Sequence, residues 1–147
     1  MQQLAVTRYS VVNCLGIGAP AMGEGLFARR SGLAPCDFED VALETYIGRV
    51  RGLESLPVRS DLGAYDCRNN RMAQLALETD GFAGAVAQAC ERYGAERIGL
   101  FVGTSTSGLL ETELAYRLRD PGTGVLPPGF RDAQTHNTFS RADFAQR

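Results

Sequence analysis

The sequence predicts an α/β fold, because short apolar runs that suit β-strands alternate with longer segments at helical spacing. Residues 98–102 form a mostly apolar run between charged residues and glycine, which is typical of a strand buried on both faces. Residues 66–93 repeat apolar side chains at helical spacing, and the opposite side is also small or apolar. A helix with that pattern is buried on nearly all sides. We therefore expect a central strand and a long internal helix.

Local signals predict the other elements of the N-terminal half. β-Branched and aromatic residues over 4–15 predict a first strand, which stops at a turn over 16–18. Residues 24–30 have the pattern of a short helix. Glycines and prolines interrupt residues 34–64, which predicts a loop-rich region with one short strand near 45–50.

A further helix is predicted after the small-residue turn at 103–108. Its apolar stripe begins at Leu109 and stops at Asp120-Pro121-Gly122. Residues 121–135 predict a long connection, and residues 140–143 resemble the start of another helix. Long connections of this kind usually line a site or an interface.

Composition narrows the class of protein. With 44% hydrophobic and 22% charged residues, the 147-residue chain fits one soluble globular domain. Its 15 basic residues, all arginine, are balanced by 17 acidic ones, so general attraction to nucleic acid or to an anionic membrane is not expected. No apolar stretch approaches the roughly 20 residues that cross a bilayer. A cytoplasmic location is the expectation, since no secretory leader is evident.

The cysteines do not suggest a metal site. Cys14, Cys36, Cys67 and Cys90 are widely spaced without a C-x-x-C pair, and His136 is the single histidine. We expect reduced thiols that pack as small apolar groups, and we assign none of them as a nucleophile.

The turn at 103–108 is where chemistry is expected, because its small side chains let a ligand approach the end of the strand. A phosphate-binding loop would need a lysine, and the sequence contains none. A nucleophile elbow would use Ser105, with Asp132 and His136 following in the chain order of α/β-hydrolases, although Ser107 replaces the final glycine of G-x-S-x-G. Hydroxyl side chains also suit a helix cap. A small serine hydrolase and a simple cap both stay open.

A second motif lies near the N-terminus. Gly16-x-Gly18-x-x-Ala21 matches the loose dinucleotide fingerprint after a predicted strand, with Pro20 inside it. The fingerprint is specific only in a full βαβ unit, and no single acidic residue stands out as the ribose ligand. A nucleotide-binding module is therefore one alternative.

Five stretches together carry a family resemblance. They are Val11-Val12-Asn13-Cys14-Leu15-Gly16-Ile17-Gly18, Leu26-Phe27-Ala28-Arg29-Arg30-Ser31-Gly32-Leu33, Asp66-Cys67-Arg68-Asn69-Asn70-Arg71, Gly99-Leu100-Phe101-Val102-Gly103-Thr104-Ser105 and His136-Asn137-Thr138-Phe139-Ser140. In this order and spacing they resemble the N-terminal part of the β-ketoacyl-acyl-carrier-protein synthases of the thiolase-like superfamily. The resemblance spans almost the whole chain. It implies a layered α/β/α thiolase-like fold, of which residues 1–147 would be an incomplete N-terminal portion.

The resemblance also implies an acyltransferase activity for the full-length protein. Such enzymes join an acyl thioester to malonyl-carrier protein by decarboxylative Claisen condensation, in fatty acid or polyketide biosynthesis. The chemistry needs a thiolate, an oxyanion hole and histidines, and needs no cofactor or metal. In the family the nucleophilic cysteine follows the point where this chain ends. We therefore expect no catalytic residue in this chain, assign neither Cys90 nor His136 to that role, and predict that the chain alone is inactive.

By resemblance, this segment supplies scaffold, dimer surface and part of the acyl pocket. The implied partners are an acyl carrier protein and a second subunit, in a homodimer or a heterodimer, with no nucleic acid or membrane. Arg29 and Arg30 could help to dock the acidic carrier. The other family alternative is a non-catalytic subunit of the chain-length-factor type. The candidate pocket or interface residues are Thr104, Ser105, Thr106, His136, Asn137 and Thr138.

Overall fold

The computed structural model describes residues 4–38, 42–103 and 109–128 of the chain. It is a mixed α/β structure in which four helices accompany two small antiparallel sheets within these residues. The strands are β1 (Val12–Asn13), β2 (Gly16–Ile17), β3 (Leu33–Pro35) and β4 (Tyr46–Gly48). The helices are α1 (Ala19–Phe27), α2 (Arg68–Glu78), α3 (Phe82–Tyr93) and α4 (Leu109–Arg117). Short 3₁₀-helices occupy Leu53–Ser55, Ser60–Tyr65 and Ala95–Arg97.

The chain divides into two compact units. The first comprises Met1–Leu56 and Gln74–Ile98, and the second comprises Pro57–Ala73 and Gly99–Arg147. Within the described part, no helix is both long enough and apolar enough to cross a membrane.

In the first unit, β1 and β2 form a hairpin in which Val12 pairs with Ile17 and Asn13 with Gly16. The two-residue turn is held by the Asn13 side chain, whose Oδ1 accepts a hydrogen bond from the backbone N–H of Leu15 (2.9 Å). The predicted first strand over 4–15 is therefore mostly wrong. Residues 4–11 have no regular structure, and Gly16-Ile17 is a return strand rather than a turn.

Helix α1 begins at Ala19, five residues before the predicted start at Glu24. Pro20 explains the early start, because its fixed φ angle and missing N–H suit the first turn of a helix. The helix ends at Phe27, and the chain then reverses through Arg29, which has a φ of 52°. The backbone N–H of Arg30 donates to the carbonyl of Gly25 (2.9 Å), which closes the helix end.

The second hairpin pairs β3 with β4, with Ala34 opposite Ile47. The predicted short strand near 45–50 is confirmed by β4, but its partner β3 was not predicted. Cys14 packs against this hairpin where two glycines leave room: a Cβ on Gly48 would lie 2.7 Å from Cys14 Sγ, and one on Gly32 2.6 Å from the Cys14 carbonyl oxygen. Just after the hairpin, Val50 and Leu53 are buried.

The predicted long helix over 66–93 is wrong in two respects. It is broken into α2 and α3 at Asp80 and Gly81, which have φ angles of 56° and 69°. Consecutive left-handed residues end a right-handed helix, and both Asp and Gly tolerate that conformation. Helices α2 and α3 are also not enclosed by other elements. No residue of α3 is buried, and Asn70 is the single buried residue of α2.

The predicted central strand over 98–102 is also wrong. These residues pair with no strand in the described part of the chain, and their apolar side chains are exposed. Phe101 is 95% exposed, and Leu100 is 46% exposed. The reason is that an apolar run becomes a buried strand only where neighbouring strands exist to pair with it.

In the second unit, Val58 and Leu62 form a small buried cluster against Tyr65 and Ala73. Asn70 is only 1% exposed, and its side-chain amide donates to the carbonyl oxygen of Tyr65 (2.8 Å). Helix α4 confirms the helix predicted from Leu109.

The segment after α4, where the helix is predicted to end, forms a turn that the carboxylate of Asp120 stabilises. Asp120 accepts hydrogen bonds from the backbone N–H groups of Gly122 (3.0 Å) and Thr123 (2.6 Å) and from the Thr123 hydroxyl (2.8 Å). Residues 121–128 contain no helix or strand, as expected, while the predicted helix start at 140–143 lies outside the described residues.

Candidate functional site

The acyl-pocket and interface residues predicted from the sequence lie outside the described part of the chain. Residues 104–108 and 129–147 are not described, and they include Asp132 of the serine-hydrolase alternative. The candidate pocket or interface residues in these segments are Thr104, Ser105, Thr106, His136, Asn137 and Thr138. Their roles remain predictions, and the structure describes only the run that leads into the turn and helix α4 that follows it.

The N-terminus of α1 is described, and it bears on the nucleotide-binding alternative. A dinucleotide site needs a parallel βαβ unit with free N–H groups at the helix N-terminus. Here the preceding strands form an antiparallel hairpin. The backbone N–H of Ala19 is already taken by the carboxylate of Asp80, whose two oxygens lie 3.1 and 3.0 Å away. The geometry therefore argues against a pyrophosphate at Gly16 and Gly18.

Asp80 also reaches a second segment of the first unit. Its Oδ2 accepts a hydrogen bond from the backbone N–H of Val11 (3.3 Å), and the Ser10 hydroxyl donates to the carbonyl of Ala76 in α2 (2.6 Å). A carboxylate at a helix N-terminus is also favoured by the helix dipole. The break between α2 and α3 is thus fastened to the first hairpin and to α1, which is a structural role.

The described part of the first unit contains a cleft with a volume of about 530 Å³. It lies between the first hairpin, the reversal after α1 and the second hairpin. Clefts of roughly 300–1,000 Å³ are the usual size of small-ligand sites. Its lining residues are Asn13, Cys14, Leu15, Gly16, Ile17, Arg30, Ser31, Gly32, Leu33, Ala34, Asp37, Ile47, Arg49 and Arg51.

Three arginines and one aspartate, Asp37, are among the residues that line the cleft, so basic residues outnumber acidic ones there. Arg30 enters from the reversal after α1. Arg49 and Arg51 come from the segment after β4, and Arg51 lies in the turn before Leu53–Ser55. Val50, between them in the sequence, is buried.

Arg49 is held in place by its neighbours. Its Nη2 donates to the backbone carbonyl of Asp37 (2.7 Å), and its guanidinium carbon lies 5.7 Å from the centre of the Phe38 ring. Its Nε is 3.0 Å from Asp37 Oδ1, within ion-pair distance. That N–H is buried and forms no hydrogen bond, so the contact with the carboxylate is an electrostatic one.

The other two arginines are less constrained. Arg30 lies 3.6 Å from Glu24 in an exposed pair, with side chains that are 53% and 77% exposed. Such a pair contributes little and is easily exchanged for another anion. Arg51 is exposed and forms no ion pair with any residue in the described ranges.

No protein-family model matches this chain. The same holds for curated proteins and for solved structures, so function has to be argued from the residues themselves. Across 4–38, 42–103 and 109–128, no group of His, Cys, Asp and Glu side chains is placed to hold a metal ion. The four cysteines are free thiols, each partly buried.

Sequence reasoning missed the cleft. Arg30 was considered for carrier docking, but Arg49 and Arg51 were passed over inside a region read as loops. The signal available was the alternation Ile47-x-Arg49-x-Arg51 with Val50 between, which is a strand-like pattern carrying two charges. Arg29, the other docking candidate, is exposed and occupies the left-handed turn position after α1.

Proposed function

We propose that this chain is the N-terminal segment of a β-ketoacyl-acyl-carrier-protein synthase with a thiolase-like fold. The order of the five matching stretches suggests the family. The structural observation that supports it is the apolar run at 98–102, where Phe101 is 95% exposed and no described strand is available to pair with it.

An unpaired apolar run is unfavourable in water for two reasons. Its side chains keep apolar surface hydrated, at about 25 cal/mol for each Å² left unburied. Its backbone N–H and C=O groups also lack ladder partners. Both costs fall if additional protein covers the run, as the layered fold of the proposed family would provide.

Helices α3 and α4 also leave large apolar side chains exposed to water. On α3, Val86 is 39% exposed and Tyr93 is 51% exposed; on α4, Leu109 is 59% exposed and Tyr116 is 54% exposed. Large exposed apolar side chains on several elements favour contact with additional protein. In the proposed enzyme, that protein is the rest of the synthase and the second subunit.

The chemistry follows from the family assignment. The acyl chain moves from its carrier protein to a cysteine thiolate, malonyl-carrier protein loses carbon dioxide, and the resulting carbanion attacks the acyl thioester. This segment contributes scaffold, dimer surface and pocket residues, of which Thr106 and Thr138 are the substrate-lining candidates. The thiolate and the histidines come from sequence beyond residue 147.

The test compares two proteins in a malonyl-carrier-protein decarboxylation assay. Residues 1–147 alone are expected to give the rate of the no-protein control. A polypeptide that continues into the following coding sequence is expected to decarboxylate malonyl-carrier protein and to accept an acyl group on cysteine. The matched control replaces that downstream cysteine with alanine, which should abolish acylation.

Three outcomes contradict the proposal. Turnover by residues 1–147 alone would show that the catalytic groups lie within them. A longer polypeptide that folds, carries no cysteine at the nucleophile position and pairs with an active synthase would favour the chain-length-factor alternative. Labelling of the chain by a fluorophosphonate probe, abolished by Ser105→Ala, would favour the serine hydrolase.

A further inference from the structure

The cleft of the first unit has the charge and shape of a small-anion site. We propose that it binds a small molecule carrying a phosphate monoester, with the phosphate against Arg30, Arg49 and Arg51. This inference does not depend on the proposed synthase activity, because every residue it uses lies in 13–51.

Charge is the first argument. The lining residues include three arginines and one aspartate, although the chain as a whole has a net charge of −2. Glu24 lies outside the lining, 3.6 Å from Arg30. A phosphate monoester carries about −1.5 to −2 at neutral pH, which is opposite in sign to the charge of the lining.

The orientation of the arginines is the second argument. The guanidinium of Arg49 is fixed by the Asp37 carbonyl and the Phe38 ring, and Asp37 Oδ1 lies 3.0 Å from its Nε. Arg51 has no ion-pair partner in the described segments. Guanidinium groups that are already oriented lose little freedom on binding a phosphate and form strong charge-assisted bonds with it.

The cleft lining also contains neutral hydrogen-bond donors, on Ser31 and Asn13. The Ser31 Oγ accepts a hydrogen bond from the backbone N–H of Leu33 (3.2 Å), which leaves its hydroxyl hydrogen available. Asn13 uses its Oδ1 within the hairpin turn, and its amide nitrogen has no acceptor among the described residues. Hydroxyl and amide groups of this kind fix the orientation of a charged ligand.

The rest of the cleft lining includes apolar residues, which indicates that the group esterified to the phosphate is apolar. Leu15, Ile17, Leu33 and Ile47 line the cleft beside the arginines. A free inorganic phosphate would leave these apolar side chains in contact with water. An ester with an apolar or aromatic body would cover it, and a volume of about 530 Å³ accommodates such a body.

The experiment uses phenyl phosphate as the probe and isothermal titration calorimetry as the readout. Saturable binding in the micromolar to millimolar range is expected, with weaker binding of inorganic phosphate and none of phenol. Arg51→Gln should weaken phenyl phosphate binding about tenfold, the ratio for one lost charge-assisted hydrogen bond. The matched control is Arg117→Gln on α4, an arginine outside the cleft, which should bind within about twofold of the unmodified chain.

A second variant and a measurement of secondary structure distinguish lost binding from lost folding. Arg49→Gln should also weaken binding, and circular dichroism of both cleft variants should match that of the unmodified chain. Absence of saturable phenyl phosphate binding to the folded chain would overturn the proposal, as would equal losses in Arg51→Gln and Arg117→Gln. Benzoate that binds as tightly as phenyl phosphate would overturn the assignment to phosphate.

Discussion

Replacing Asp80 with alanine should destabilise the first unit more than any single change at an exposed charge. The carboxylate accepts hydrogen bonds from the backbone N–H groups of Val11 (3.3 Å) and Ala19 (3.1 and 3.0 Å). A hydrogen bond to a charged group contributes about 1.5–3 kcal/mol, and the long bond to Val11 belongs below that range. The favourable position at the α1 N-terminus adds roughly 0.3–1 kcal/mol.

The backbone conformation at position 80 adds to the loss of stability expected for Asp80→Ala. Asp80 has a φ of 56°, a left-handed conformation that costs an alanine about 1–2 kcal/mol. Because Asp80 is only partly buried, water recovers some of the lost hydrogen bonding. We therefore expect Asp80→Ala to lower the free energy of unfolding by about 2–4 kcal/mol.

Two more variants separate the causes. Asp80→Gly removes the side chain but suits the left-handed backbone, so it should cost less than alanine. Asp80→Asn keeps one acceptor oxygen and also tolerates that conformation, so it should cost about 1 kcal/mol, the least of the three. Urea unfolding followed by far-ultraviolet circular dichroism measures each value.

The control is Glu113→Ala on α4. Glu113 and Arg117 form an exposed ion pair at 2.6 Å, with side chains 58% and 69% exposed. Such a pair contributes about 0.3–0.5 kcal/mol. If Asp80→Ala and Glu113→Ala destabilise equally, or if the glycine variant is the least stable at position 80, the role assigned to this carboxylate is wrong.

Two other predictions concern the glycine contacts and the turn after α4. Gly48→Ala would place a Cβ 2.7 Å from Cys14 Sγ, so it should destabilise by about 1–3 kcal/mol, and adding Cys14→Ala should restore part of that loss. Gly32→Ala would meet Cys14 Sγ (2.7 Å) and also the Cys14 carbonyl oxygen (2.6 Å), which Cys14→Ala leaves in place, so its rescue should be smaller. Equal rescue of both in urea unfolding would contradict this geometry. Hydrogen bonds from Thr123 and Gly122 hold the pKa of Asp120 below its ordinary value of 3.8. The ionised form therefore favours the turn above that value, and the preference is lost as pH falls through the lower folded-state pKa. An NMR titration in which Asp120 titrates at or above 3.8 would refute it.

The sequence predicted elements well where the signal was local. Helix α4 follows from the Leu109 stripe, and β4 was expected near 45–50 because β-branched and aromatic residues cluster there. The start of α1 was missed because Pro20 was read as an obstacle to a motif instead of as a first-turn residue. That information was present in the sequence.

Other features depend on tertiary structure and could not be read locally. The break at Asp80 requires a side chain that bonds residues more than sixty positions earlier in the chain, and periodicity does not report such a contact. The run at 98–102 has the composition of a strand, but strand formation depends on a partner. The cleft joins three separate segments, so Arg30 is distant in sequence from Arg49 and Arg51. The predicted pocket residues at 104–106 and 136–138 lie outside the described residues and stay predictions.

The bonds from Asp80 to Val11 and Ala19 span 69 and 61 residues, so they close a loop that contains the whole glycine- and proline-rich middle of the chain. The entropy of closing a loop grows only with the logarithm of its length, and doubling the length costs about 0.6 kcal/mol. A few residues inserted at an exposed position such as Leu43 should therefore lower the free energy of unfolding by only about a tenth of that amount. Insertions near Leu43 should therefore be tolerated while the Asp80 carboxylate and the Ser10 hydroxyl keep the ends of this loop together.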